Sequence, residues 1–150
     1  MKILGKNKKA FRDYEIIKRF EAGMVLEGWE VKSIKSRNFS LKESHVSQRH
    51  GEMWIYGMHV SSWKFGGSLE EMDEQRPKKL LLHKKEIEYL IGSEQRKGLT
   101  IIPLSVYLER GFIKIEIALA KGKKQYDKRK KIKERDQKRR IERDLKSLGY

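Results

Sequence analysis

The chain has 150 residues, enough for one domain and an appendage, and carries 36 Lys and Arg against 21 Asp and Glu, a formal net charge of +15. Such a surplus predicts a polyanionic partner, either nucleic acid or an anionic membrane surface. The lack of cysteine excludes disulfides and thiolate zinc sites and agrees with a reducing compartment. Because there is no apolar run of roughly eighteen residues and no secretory signal, we expect a cytoplasmic protein that neither spans a membrane nor is exported.

The first third of the chain predicts a basic arm followed by a strand. Residues 1–9 are polar and basic and predict a short mobile arm, so that the ordered domain comprises residues 10–120. Residues 14–26 are rich in β-branched and aromatic side chains and predict a strand, with Gly23 interrupting it as a bulge or bend. The stretch WEVKSI, residues 29–34, fits either a strand or a short amphipathic helix, since its periodicity is too short to decide.

The middle of the chain predicts a hairpin and then a loop. Residues 39–48 and 53–60 alternate in polarity, and Gly51 between them suits a tight turn, which predicts two paired antiparallel strands. Residues 64–78 combine a Gly-Gly pair, several acids and a proline, with few apolar side chains. They predict a mobile polar loop.

A helix and a second hairpin follow. Residues 80–91 place apolar side chains at helical spacing, and Gly92 predicts the end of that helix. Residues 99–108 and 112–120 predict two strands joined by a tight turn, in which Pro103 marks either an edge position or a bulge. One face of the last strand is apolar and predicts core, whereas the other is expected to be partly exposed. These elements predict a mainly β protein, a small closed antiparallel barrel of about six strands with two or three short helices.

Residues 121–150 form a basic C-terminal tail, with fourteen Lys or Arg against five Asp or Glu by count. The tail has too few apolar residues to fold alone. Its acids often lie four residues ahead of a base, as Asp127 does before Lys131, and each such pair favours helix by roughly 0.2 to 0.5 kcal/mol. We therefore predict a conditional helix that becomes ordered against phosphate. A merely solubilising charged tail is the alternative.

Motifs for catalysis and metal binding are missing from the sequence pattern. The four histidines show neither HExxH nor i, i+4 spacing, so we predict no metal site and no cofactor. The run Lys121-Gly122-Lys123-Lys124 lacks the first glycine and the Ser or Thr of a nucleotide-binding P-loop. It instead predicts a glycine hinge that lets lysines approach a nucleic-acid backbone.

Two single residues stand out as candidates for RNA contact. Glu21 lies in a strongly apolar strand, where its carboxylate can accept hydrogen bonds from guanine amino groups or ribose hydroxyls. An ordinary glutamate on the solvent face fits the same pattern. Tyr126 has no apolar neighbours, and an exposed ring among cations can stack on an unpaired base, unless the tail packs onto the core.

Four blocks of the sequence stand out together: FEAGMVLEGWEVKSI, RPKKLLLHKKEI, TIIPLSVY and IALAKGKKQYDKR. They resemble SmpB, the family of small proteins that bind transfer-messenger RNA (tmRNA, or SsrA RNA) in bacterial ribosome rescue. The similarity runs from about Asn7 through the tail. The resemblance implies an oligonucleotide-binding-like (OB-like) antiparallel barrel, and it makes WEVKSI a helix.

The resemblance also implies roles for particular residues. Those expected to contact the tRNA-like domain of tmRNA are Glu21, Leu81, His83, Lys114, Lys121, Gly122 and Lys124. Those expected to contact the ribosome from the tail are Tyr126, Asp127, Lys128, Arg129, Lys130, Lys131 and Lys133.

The mechanism implied by the resemblance depends on shape and makes no covalent bond. The protein would fill the gap left by a missing anticodon stem, enter a stalled 70S ribosome with tmRNA as a monomer, and place its tail against small-subunit rRNA in the vacant mRNA channel. Two other functions stay open from the residues alone. One is a general RNA chaperone or ribosome-associated RNA-binding protein, and the other is a barrel nuclease with clustered carboxylates around a divalent cation.

Overall fold

A computed structural model describes residues 1–63, 72–96 and 98–123. These residues form nine strands and three helices. In chain order they are β1 (Lys2–Lys6), α1 (Lys8–Asp13), β2 (Tyr14–Met24), α2 (Gly28–Lys35), β3 (Phe39–Ser40), β4 (His45–Arg49), β5 (Glu52–Tyr56), β6 (His59–Val60), β7 (Lys78–Leu81), α3 (Lys84–Glu94), β8 (Leu99–Glu109) and β9 (Phe112–Gly122).

Six strands form a closed ring of antiparallel pairs. Their order is β8, β4, β5, β7, β2 and β9, and pairing between β9 and β8 closes the ring. Strand β1 pairs with β8 outside the ring, and β3 and β6 form a separate two-stranded sheet. The predicted mainly β fold, a closed antiparallel sheet of about six strands with two or three short helices, is confirmed.

Both predicted hairpins are present, with tight turns at the expected glycines, but each strand predicted for the first hairpin is divided in two, and its outer parts, β3 and β6, pair in a separate sheet. Gly51 and Gly111 have φ of 77° and 82°, and the residue before each, His50 or Arg110, is also left-handed. Two consecutive positive φ values are typical of the turn that matches the twist of paired strands. The register of β8 against β9 shifts just after Pro103, which confirms the bulge predicted there.

The bulge in β2 lies elsewhere than predicted. Its register against β9 shifts between Ile16 and Lys18, while Gly23 stays in register with Lys114. Gly23 lies under a neighbouring side chain, since a Cβ added there would come 3.4 Å from the Cβ of Leu81. The glycine thus permits close packing of Leu81 and does not interrupt the strand.

Ordered structure begins at Lys2, and not near Ala10 as predicted for a mobile arm of residues 1–9. Strand β1 pairs antiparallel with β8, and Leu4 is buried in the core. Asn7 then fixes the start of α1, because its side-chain amide donates to the carbonyl of Pro103 at 3.0 Å and its oxygen accepts from the backbone of Ala10 at 3.3 Å. Backbone pairing and one buried leucine outweigh the basic composition of the segment.

Helical structure accounts for residues 29–34 and for most of residues 80–91. WEVKSI lies in helix α2, as the family resemblance implied, and its buried residues follow a helical spacing. The helix predicted for residues 80–91 is only partly correct, because Leu80 and Leu81 belong to strand β7. Helix α3 also continues through Gly92, where an exposed glycine costs roughly 1 kcal/mol and does not end the helix.

The main core fills the ring, and a smaller cluster lies outside it under α1. The inward face of β9 supplies Ile115, Ile117 and Leu119 to the main core. On its other face, Ala118 and Ala120 are also buried, because they pack in the smaller cluster. Of the five residues on the face predicted to be partly exposed, these two are therefore covered.

The predicted mobile loop and the predicted tail fall largely outside the described residues. Of the loop, residues 72–77 are described and form neither helix nor strand, and residues 64–71 lie outside. The tail predicted as a conditional helix is described only as far as Lys123. None of the helices in the described ranges is long and apolar enough to cross a membrane.

Candidate nucleic-acid interface

A groove of about 560 Å³ lies where β2, β5, β7 and β9 meet the start of α3. We call it the β2/β7 groove. Four residues that the family resemblance assigned to RNA binding line it together: Glu21, Leu81, His83 and Lys114. They come from three strands and a strand-to-helix junction, so the closed ring is what brings them to one surface.

Glu21 points away from the core because β2 alternates. Its neighbours Phe20 and Ala22 are buried and Glu21 is exposed. Burial raises the pKa of the Tyr107 hydroxyl above its ordinary value of 10.0, and the carboxylate of Glu21 beside it raises that pKa further. Tyr107 therefore stays protonated beside Glu21, and the carboxylate keeps lone pairs for a ligand.

Leu81 and His83 form the rim of the groove where β7 ends and α3 begins. Leu81 is 53% exposed, which is unusual for a leucine held on a rigid strand. The backbone N–H of His83 donates to the side chain of Glu86 at 3.1 Å, which fixes the first turn of α3. An apolar side chain beside an imidazole can pack on an unpaired base and hydrogen-bond to its edge.

Lys114 brings a positive charge to the same surface. On β9 it is paired in register with Gly23 on one side and with Tyr107 on the other. Within the part of the chain that the structure describes, no ion pair to Lys114 is found. Its ammonium group is free to meet a phosphate next to the carboxylate of Glu21.

The remaining predicted RNA contacts lie elsewhere or outside the described residues. Lys121 and Gly122 are at the far end of β9, and seven residues at about 3.3 Å each put Lys121 roughly 23 Å from Lys114. The residues outside the described ranges are Lys124, Tyr126, Asp127, Lys128, Arg129, Lys130, Lys131 and Lys133.

A second groove, of about 380 Å³, was missed by the sequence analysis. It lies between the β1–α1 junction and the segment around Phe39, and we call it the N-terminal groove. Its lining includes five cations and no acid: Lys6, Lys8, Lys9, Arg12 and Lys42. The signal was present as a cluster of Lys and Arg before residue 13, but the predicted mobile arm hid its fixed geometry.

A buried charge cluster holds α2 against the start of β7. Glu30 and Lys78 are fully buried, and the Lys78 Nζ lies 3.4 Å from a carboxylate oxygen of Glu30. The other oxygen accepts from Arg76 Nη2 and from the backbone N–H of Glu27 at 2.8 Å. Burial lowers the pKa of Lys78 below 10.5, and the carboxylate of Glu30 offsets part of that effect. The cluster fixes the strand that presents Leu81.

The side chains that line the β2/β7 groove are suited to recognition of a ligand. Across residues 1–63, 72–96 and 98–123, no group of three or more His, Asp or Glu side chains is placed to hold a metal ion. What the β2/β7 groove offers is a hydrogen-bond acceptor, an exposed apolar side chain, an imidazole and an ammonium group. This set suits the edge of a nucleotide and its phosphate.

Comparisons with known proteins agree with the resemblance stated above. The family model described as SmpB protein matches residues 4–147. An SsrA-binding protein of Coprothermobacter proteolyticus is 49% identical over 99% of this chain and 97% of its own length. Those of Protochlamydia amoebophila and Bacillus cereus are 45% and 46% identical over 96% and 95% of this chain, and 94% and 91% of their own.

A solved structure gives the same answer for the fold. It is described as "tmRNA-SmpB: a journey to the center of the bacterial ribosome" and is 38% identical, with a TM-score of 0.67. The match covers 81% of this chain and 85% of that one. Since the family model covers nearly the whole sequence and the relatives match from end to end, this chain belongs to the SmpB family.

Proposed function

We propose that this protein binds tmRNA and acts in the rescue of stalled ribosomes without catalysing a reaction. The observation that carries the proposal is the convergence of Glu21, Leu81, His83 and Lys114 in one groove. Membership of the SmpB family supports the identity of the RNA, because the relatives are SsrA-binding proteins. We propose a cytoplasmic location on the same ground.

In this proposal the β2/β7 groove reads an unpaired part of the tRNA-like domain. The carboxylate of Glu21 accepts hydrogen bonds from base amino groups or ribose hydroxyls, which a phosphate cannot donate. Leu81 and His83 pack on a splayed base, and Lys114 meets a phosphate beside it. The mixture of groups is expected to recognise folded RNA with exposed loop nucleotides, and to bind plain duplex poorly.

The ribosome would be engaged by other parts of the chain. We propose that Lys121 and Gly122 at the end of β9, together with Lys124, also contact the RNA, and that the tail residues that the family resemblance assigned to the ribosome meet small-subunit rRNA in the vacant mRNA channel. Because the channel is empty only at a broken message, occupancy by the tail would license accommodation and peptide tagging. The N-terminal groove, with its five cations, supports further contact with RNA phosphates.

Recovery of the bound RNA tests the identity of the ligand. The full chain is used to capture cellular RNA, which is then sequenced, and tmRNA is expected to be enriched far above bulk tRNA. A general RNA chaperone would instead recover tRNA and rRNA in proportion to their abundance. In competition at moderate salt, bulk tRNA is expected to displace tmRNA only weakly, and equal competition would overturn the proposal.

Substitution of Glu21 tests the groove. Glu21→Ala is expected to weaken binding of tmRNA in a filter assay while circular dichroism shows an unchanged fold. The matched control is Glu88→Ala, which removes the same charge from an exposed position on α3, outside the groove. Equal affinities of the two variants would remove Glu21 from the site, and loss of folding would assign it a structural role.

A further inference from the structure

The β2/β7 groove has a charge balance opposite to that of the whole chain. Its lining holds three carboxylates, on Glu21, Glu52 and Glu86, against two ammonium groups, on Lys79 and Lys114. The whole chain carries a net charge of +15. The contrast with the N-terminal groove, whose lining has five cations and no acid, is complete. A surface built to attract phosphate would not carry this excess of acid.

One of the two ammonium groups is already engaged. The Nζ of Lys79 donates to Oε1 of Glu52 at 2.9 Å, and both side chains stay partly exposed at the groove wall. The two residues lie on paired strands, since Lys79 on β7 faces Trp54 on β5. Their separation is therefore set by the sheet. A phosphate that approached Lys79 would have to displace the carboxylate of Glu52 or lie beside it, and both groups are negatively charged.

We propose that Glu52 is a specificity-determining residue of this groove, acting by holding Lys79 away from RNA phosphates. The inference rests on the proposed function, and it adds a residue that discriminates against the wrong RNA. An RNA that presents only phosphates to the groove would contact one free lysine, Lys114, and would be repelled by three carboxylates. RNA that also offers an unpaired base gains the contacts of Glu21, Leu81 and His83. Discrimination is the difference between the affinities for these two kinds of RNA. It uses repulsion of phosphate by the carboxylates as well as the attractive contacts with an unpaired base.

The test compares four forms of the full chain: wild type, Glu52→Gln, Lys79→Gln, and the double variant. Each is titrated by filter binding against a long perfect RNA duplex and against a tmRNA transcript, between about 50 and 200 mM salt. Glutamine keeps the shape of either side chain and removes its charge. Thermal unfolding by circular dichroism is measured first, and Glu52→Ala supplies a second way to remove the carboxylate.

Releasing Lys79 should add one phosphate contact on duplex RNA. The plot of log affinity against log salt is then expected to steepen by about 0.9 for Glu52→Gln, which corresponds to a three- to fourfold larger loss of affinity over that salt range. Affinity for duplex RNA at low salt rises, affinity for tmRNA rises less, and the ratio between them falls. The double variant returns to the wild-type slope, and Lys79→Gln alone leaves that slope unchanged.

Three results would overturn the proposal. They are an unchanged slope for Glu52→Gln, an equal gain of affinity for both RNAs, and a double variant that stays as steep as Glu52→Gln. Failure of the proposed function would look different. Wild-type protein would then show no preference for tmRNA over the duplex, while the slopes on duplex RNA would still report whether Glu52 restrains Lys79.

Discussion

The buried cluster of Glu30, Arg76 and Lys78 gives a sharp prediction, because its single carboxylate serves two cations. Changing Glu30 to Gln would leave the fully buried Lys78 without its paired carboxylate. Arg76 would lose the same carboxylate and keep its ion pair with Glu27, at 3.6 Å. Changing Lys78 to Met would leave Glu30 still paired with Arg76, and the methionine would fill most of the space of the lysine stem. We therefore expect Glu30→Gln to destabilise the protein more than Lys78→Met does.

The magnitude follows from the distance. Two unit charges 3.4 Å apart attract by roughly 5 kcal/mol at an effective dielectric constant of about 20. Removing one partner of a buried pair typically costs about 3 to 5 kcal/mol, because the other charge is left uncompensated. We expect a cost in that range for Glu30→Gln. For Lys78→Met we expect about 1 kcal/mol, which is typical of a single substitution.

Urea unfolding followed by circular dichroism measures both costs. Since small domains are stable by about 5 to 15 kcal/mol, the loss in Glu30→Gln would be a large part of the total. The double variant should be more stable than Glu30→Gln, because it removes the stranded ammonium group. Lys79→Met is the matched control, as its partly exposed ion pair should contribute at most about 1 kcal/mol. The reasoning is refuted if Lys78→Met costs as much as Glu30→Gln, or if the two costs simply add.

Three other perturbations probe the fold and the mechanism. Gly57→Ala should cost about 1 to 3 kcal/mol in thermal unfolding, since Gly57 has a φ of +76° and an added Cβ would lie 2.7 Å from the carbonyl oxygen of Glu43. Gly51→Ala, with a φ of +77° and open space around it, should cost less, and equal costs would contradict the clash. Burial lowers the pKa of Lys78 in the folded protein below 10.5. At a pH between the lowered pKa and 10.5, Lys78 is therefore protonated in the unfolded chain and deprotonated in the folded one. Stability should therefore rise with pH across that window in wild type but not in Lys78→Met, as measured by urea unfolding at a series of pH values. Truncation after Gly122 should leave tmRNA affinity largely intact and abolish tagging in a reconstituted translation assay, and a truncated protein that still tags would contradict the role of the tail.

The sequence predicted the elements whose pattern is local. The hairpin of β8 and β9 could be found because β8 is rich in β-branched side chains, because β9 alternates, and because Gly111 follows Arg110 at the turn. Strand β1 was missed because its stability comes from pairing with β8, about a hundred residues away, and from one buried leucine. The start of α3 was misplaced because Leu80 in β7 lies seven residues before Ile87 and so fits the helical spacing of the apolar residues of α3.

The candidate site could be predicted only in part, for a related reason. Side chains alternate along β2, so Glu21 is exposed between the buried Phe20 and Ala22. This exposure could be predicted from its apolar neighbours. The nearness of Glu21 to His83 and Lys114 depends on closure of the ring, which no local pattern encodes. The restraint of Lys79 by Glu52 depends on the register of β7 against β5. The resemblance to a family named four residues that line one groove, without explaining why they meet.

Strand β9 has hydrogen-bonded neighbours on both sides, β2 and β8, and it follows the other eight strands in the chain. A fragment that stops before Phe112 would therefore keep two open sheet edges, which invite pairing between copies. It would also lack the wall that carries Lys114. Pairing of the last strand would thus complete the sheet and the candidate ligand surface together. A peptide spanning β9, added to such a fragment, should restore both at once.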